Sequence, residues 1–249
     1  MERKIPATNT ILTALLKTDF ITQWRNRRAV ILVLLVPILI LISWKPAVNK
    51  LGGNFVLSTC ITIGLTAVGL MGYANSIAKD RDKGVFQRLR VTPIPRWSIL
   101  VSRLSVQLAM ITLITILVFV VGANNDHIYL STSGYILSYL TALVGGALYL
   151  SLGQMIVGLL KNAETVNATS RLVYFVFIMV GMFGDLGLLG EKVKTIIHWS
   201  PYGTVKTILS AGMKPEAWNT DHSLALLATI AYAIIFATLG IKKFRWNVK

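Results

Sequence analysis

The side chains able to carry catalysis or hold a metal are few in this chain, and they are scattered. It has ten Asp and Glu, three His and one Cys. His127, His198 and His222 fall in connecting segments, at spacings unlike those of helix-borne metal ligands. The sequence contains no HExxH, no GxSxG and no GxxxxGK loop ending in Ser or Thr, so it is not equipped to hydrolyse ATP by itself. Cys60 lies within an apolar run and reads as a small hydrophobe. As a lone cysteine it excludes an intramolecular disulfide. Polar chemistry concentrates instead in residues 79–97, KDRDKGVFQRLRVTPIPRW, between two apolar stretches. Asp80 and Asp82 are placed to open a short helix, where negative charge complements the dipole and caps free amides. Val85, Phe86 and Leu89 form its apolar face, while Arg81, Lys83, Arg88 and Arg90 take other positions. Pro93 and Pro95 end it, because proline lacks the N–H and pushes its predecessor out of helical geometry. An amphipathic element held between two stiff tethers suits docking by a soluble partner.

The elements that position this segment are membrane spans. The chain of 249 residues is 54% hydrophobic, 14% charged and has mean hydropathy +0.65, against about 25% charged in a soluble domain. Six spans are expected at 29–45, 54–78, 99–121, 134–160, 171–189 and 222–241, each near the ~20 residues that cross a bilayer core. The first contains Pro37, which a membrane helix tolerates when neighbours satisfy the freed carbonyl. No small-x-small site follows it, so no cleavable signal peptide is expected. With the N-terminus inside, the inner segments hold 19 Lys and Arg and the outer segments 6, which sets both termini in the cytoplasm. The net charge of +15 follows this alternation, which argues for membrane topology and against nucleic acid.

Three further segments carry information. In residues 8–26, Leu12, Leu16, Phe20 and Trp24 recur every four residues, the pattern of an amphipathic helix lying in the inner headgroup layer. Residues 191–212 have apolar residues at helical spacing interrupted by Lys194, His198, Pro201 and Lys206. They read as a broken pair of outer re-entrant helices. Gly181, Gly184, Gly187 and Gly190 recur every three residues, as either a close-packing face or a hinge. Asp185 is the one carboxylate within an apolar run. It is expected to reach outer water or cap the next helix, with a proton relay as the weaker alternative. There is no internal repeat, so residues 1–249 form a single membrane domain.

The stretch Asp80-Arg-Asp82-Lys-Gly84-x-Phe86-x-Arg88-Leu89-x-x-Thr92-Pro93-x-x-Arg96-Trp97-x-Ile99-Leu100 resembles the inner-loop signature of ABC-2 type permeases, the membrane subunits of type-2 ATP-binding-cassette exporters. Asp stands where that family usually has Glu, and Phe86 where Leu is common. The resemblance extends to the interfacial helix, the arginines before a proline-containing first span, the six spans and Pro201-Tyr202. It implies that 79–90 is a coupling helix seated in a groove of a separate ATPase subunit. Asp80, Asp82, Gly84, Val85, Phe86, Arg88, Leu89 and Arg90 would be at that interface, and Thr92, Pro93 and Arg96 at its end. Residues 8–26 would be the connecting helix. ATP and Mg2+ would sit on the partner, and a second permease subunit, identical or not, would complete the exporter. Spans two and five would line the path, which nominates Thr59, Thr62, Thr66, Tyr73, Phe175, Met179 and Phe183, although helix packing explains these residues as well.

The expected fold is thus an all-α membrane protein. It has six transmembrane helices, an N-terminal interfacial helix, a cytoplasmic coupling helix between spans two and three, and an outer re-entrant pair between spans five and six. The expected function is ATP-driven export of an amphipathic or lipid-like substrate (drug, antibiotic or lipid) across a bacterial inner membrane. A path of Thr, Met and aromatic groups suits such a substrate, and the basic inner face suits anionic headgroups. An ion-gradient-driven carrier and a membrane-embedded lipid enzyme or scaffold are the alternatives. The scarcity of ionisable groups near the bilayer midplane speaks against the carrier.

Overall fold

The computed structural model describes residues 8–25, 27–90 and 96–244, and among them the regular elements are all helices. Among the described residues, five helices are long and apolar enough to cross a membrane, or six if one bent pair counts as a single span. That pair is α2 (Arg27–Ser43) and α3 (Lys45–Leu51), which meet at Trp44 with a 65° bend. Pro46 at the first turn of α3 is compatible with that start, since its missing N–H is unsatisfied there in any helix.

The central element runs unbroken from Gly53 to Asp82. It comprises α4 (Gly53–Ala67), a π-helical stretch (Val68–Ala74) and α5 (Asn75–Asp82). Its apolar window is 89% buried, which makes it the axis around which the rest is arranged. Around it stand α2, α7 (Arg96–Asp126), α8 (Thr132–Leu159), α9 (Ala163–Asp185) and α11 (Pro201–Met213). Gly69, in the π-helical stretch, lies so close to the Tyr149 backbone of α8 that a Cβ would collide with it. The last long helix, α12 (Thr220–Lys243), packs mainly on α8, where Gly158 faces Gly240 with the same closeness.

At one end of the bundle, α1 (Thr8–Arg25) lies along α7, and α6 (Val85–Arg90) follows α5 after a two-residue turn. At the other end, α10 (Glu191–His198) and α11 form a broken pair, split at Trp199-Ser200. Ser200 caps α11 by accepting from the Gly203 amide, and Pro201 takes the first helical position.

The largest shift from the expected spans is the fifth. The sequence places it at 171–189; the helix occupies Ala163–Asp185. Asn162 caps it by accepting from the Glu164 amide at 2.8 Å, so its polar first turns AETVNATSR are helical and not a loop. It ends where Gly187 takes φ +75°. The glycine series resolves into two roles. Gly181 and Gly184 give way to Tyr202 and Ile197 of the broken pair, while Gly187 and Gly190 (φ +94°) make the turn into α10.

Candidate functional site

The charged segment begins differently from the sequence expectation. Asp80 and Asp82 do not open the short helix; they occupy the last turn of α5, and α6 starts at Val85 after the turn at Lys83-Gly84. The apolar span simply continues as helix past its hydrophobic part. Gly84 has φ +67°, a left-handed geometry that costs other residues about 1–2 kcal/mol. The Asp80 carboxylate pairs with Arg103 of α7 at 2.5 Å. Arg103 also faces Asp19 of α1 at 3.4 Å, and Ser102 donates to Asp19 at 2.6 Å. One arginine thus joins α1, α5 and α7.

Arg81 is the residue that sequence reading passed over. Its side chain is almost fully buried, 3% exposed, and donates to the carbonyls of Val157 (2.7 Å), Leu160 (2.8 Å) and Lys161 (2.8 Å). These acceptors are the last turn of α8, its C-cap Leu160 and the turn that follows, where carbonyls lack an intrahelical partner and a cation complements the dipole. Its neighbour Asp82 accepts from the Ala163 amide at 3.2 Å, at the start of α9. The signal was present in the sequence as a basic residue between two acids at the end of an apolar span. Its target, a backbone end 76 or more residues away, has no side-chain signature.

The other nominated residues separate into groups. Phe86 is buried, edge-on to Phe244 beyond α12 at 5.8 Å, so it fastens α6 inward. Val85 and Gly84 are half-buried, and Arg88, with Lys83 and Gln87, is exposed. Thr92 and Pro93 lie outside the described residues, as do the side chains of Leu89, Arg90 and Arg96. On α1, Leu12, Leu16 and Phe20 share the half-buried face with Asp19, whereas Trp24 points away, 55% exposed.

The seven path candidates do not converge. Thr59, Thr62 and Thr66 are buried in the axis, and each donates at 2.7 Å to the carbonyl four residues earlier. Tyr73 donates to Gln154 at 2.8 Å. Phe175 and Phe183, on α9, are 60% and 38% exposed, with Met179 half-buried between them.

At the opposite end, the Asp185 side chain is 25% exposed and does not cap α10, whose N-cap is Gly190. It pairs with Lys206 of α11, which is buried and lies 3.2 Å over the Phe55 ring. His198 meets Asp221 at 3.1 Å, linking α10 to the start of α12.

A family model described as ABC-2 type transporter matches residues 10–213, from α1 to the end of α11. The chain belongs to the ABC-2 type transporter family. A protein of Bacillus subtilis (strain 168) named "Putative transport permease YvfS" is 27% identical over 168 residues. That match covers 66% of this chain and 66% of the relative, just under two thirds of its length. The chain is therefore a multi-pass membrane protein of this family.

Proposed function

We propose that this ABC-2 permease is the membrane subunit of an ATP-driven exporter, in which residues 79–90 receive the stroke of a separate ATPase subunit. One observation carries the reading: this segment is fastened by charge to α1 and α7 through Arg103 and to the α8–α9 turn through Arg81 and Asp82. An element so tied passes on any push applied to its exposed Lys83, Gln87 and Arg88. The basic Lys83 and Arg88 suit an acidic groove on the ATPase, which holds ATP and Mg2+. The Lys and Arg bias supports a cytoplasmic position for this end and for both termini, in a bacterial inner membrane.

The exposed face of α9 supports a second permease subunit and a substrate path beside Phe175, Met179 and Phe183. An apolar and aromatic lining without charge suits an amphipathic or lipid-like substrate, whether drug, antibiotic or lipid. The buried threonines of α4 join that path only if the axis opens. The α10–α11 pair closes the outer exit. The test is purification from the native membrane followed by reconstitution. ATPase activity is expected to co-purify with the permease and to drive movement of a fluorescent phospholipid, and Arg88→Glu is expected to abolish the coupling. Movement by the permease alone along an ion gradient would replace this reading with a secondary carrier.

A further inference from the structure

The structure assigns Arg81 as a positioning residue that makes the α6 docking element and α9 move as one body. The inference rests on the exporter reading and adds the route by which a stroke leaves the docking element. Arg81 stands three residues before Gly84, at the root of the turn into α6. Its guanidinium collects three carbonyls from the end of α8 and the turn that follows, while Asp82 takes an amide from the start of α9. Adjacent residues therefore hold both sides of the α8–α9 turn, with the cation on the carbonyl end of one helix and the anion on the amide end of the next. Each charge has the sign that its helix terminus favours.

Guanidinium suits this task because its planar fork presents several fixed donors, whereas an ammonium is a compact point charge. Burial adds consequence. A carbonyl or cation left unpaired there has no water to turn to, so the contact stays closed during motion. From the turn, α9 runs the length of the bundle as a mostly exposed helix, ending at Asp185 beside Lys206. A displacement of α6 thus reaches α9 through two residues of the last turn of α5, at the end of the axis.

The test uses the permease bound to the ATPase that co-purifies with it, carrying spin labels at Gln87→Cys, Lys161→Cys and, for reference at the far end, Tyr129→Cys. The single native cysteine is replaced (Cys60→Ala). All three label positions are exposed. In the otherwise unaltered chain, the 87–161 distance is expected to be narrow and unchanged by ATP, while 87–129 and 161–129 shift together. In Arg81→Met, the 87–161 distribution broadens and the 161–129 shift is lost, while the 87–129 shift persists. Arg81→Lys, which keeps the charge but loses the fork, gives a partial loss and remains informative if the Met variant does not fold. If residue 161 follows residue 87 equally in both variants, or if the two separate on ATP in the unaltered chain, the assignment is overturned while the exporter reading stands. If no distance responds to ATP in the unaltered chain, the exporter reading fails and takes the assignment with it.

Discussion

Asp80, Arg81 and Asp82 serve three different neighbours because helical residues advance by about 100° each. Asp80 turns to α7, Arg81 to the end of α8 and Asp82 to the start of α9. Arg103 answers two carboxylates, so Arg103→Ala leaves Asp19 and Asp80 without their cation. Contacts to charged groups contribute about 1.5–3 kcal/mol, and Ser102→Ala, which removes one hydrogen bond to Asp19, should fall well below Arg103→Ala in thermal unfolding of the detergent-solubilised permease. The Asp185–Lys206 pair makes an asymmetric prediction. Lys206 is 7% exposed at its side chain and Asp185 25%. Removing one partner of a buried pair costs about 3–5 kcal/mol, because the other charge is stranded. Asp185→Asn strands the deeper charge and should be the more damaging change. Lys206→Met leaves a carboxylate that still reaches some water, and the double variant should resemble Lys206→Met. Equal losses from both single variants would contradict this account.

Among the elements, α6 depends on the turn before it. Gly84→Ala keeps the left-handed geometry only at about 1–2 kcal/mol and is expected to lower coupling more than membrane insertion, measured as ATP-driven transport against the amount of protein in the membrane. Trp24 makes the matching prediction for α1. Its exposed ring, set away from the face that meets α7, should be quenched by lipids labelled near the headgroup more strongly than by aqueous iodide, with Trp24→Phe as the blank. Five spans were legible in the sequence because length and hydropathy suffice to find them, the first expected span being a bent pair, and the Ser200-Pro201 break because cap and proline are local signals. The start of α9 was not legible, since AETVNATSR is too polar to look like a span and its cap, Asn162, follows no apolar periodicity. The end of α5 was misread for a related reason. Acids beside a turn suit a helix start by local rules, and only the positions of Arg103 and Ala163 in space assign Asp80 and Asp82 to the preceding helix. The path candidates divide between the buried axis and the exposed face of α9 because a sequence pattern does not say which face of a helix meets which neighbour.

For the molecule as a whole, the contrast lies between a buried axis and two helices whose apolar faces meet little protein. The hydropathic windows of α9 and α12 are only 22% and 17% buried, so lipid or a second subunit must cover them. The account gives the two ends of the bundle separate roles. In the proposed exporter, the end with α1, α6 and the Arg81 and Arg103 contacts would meet the ATPase, and the end with α10, α11 and the Asp185–Lys206 pair would govern exit. Site-specific photo-cross-linking in the native membrane, with the probe placed at exposed Arg88 and in parallel at Tyr129, tests this division most directly. The expected result is capture at Arg88, and not at Tyr129, of a protein whose sequence carries an ATP-binding-cassette phosphate loop. Absence of such an ATPase at Arg88, or its equal capture at Tyr129, would contradict the claim that residues 79–90 receive the energy of ATP.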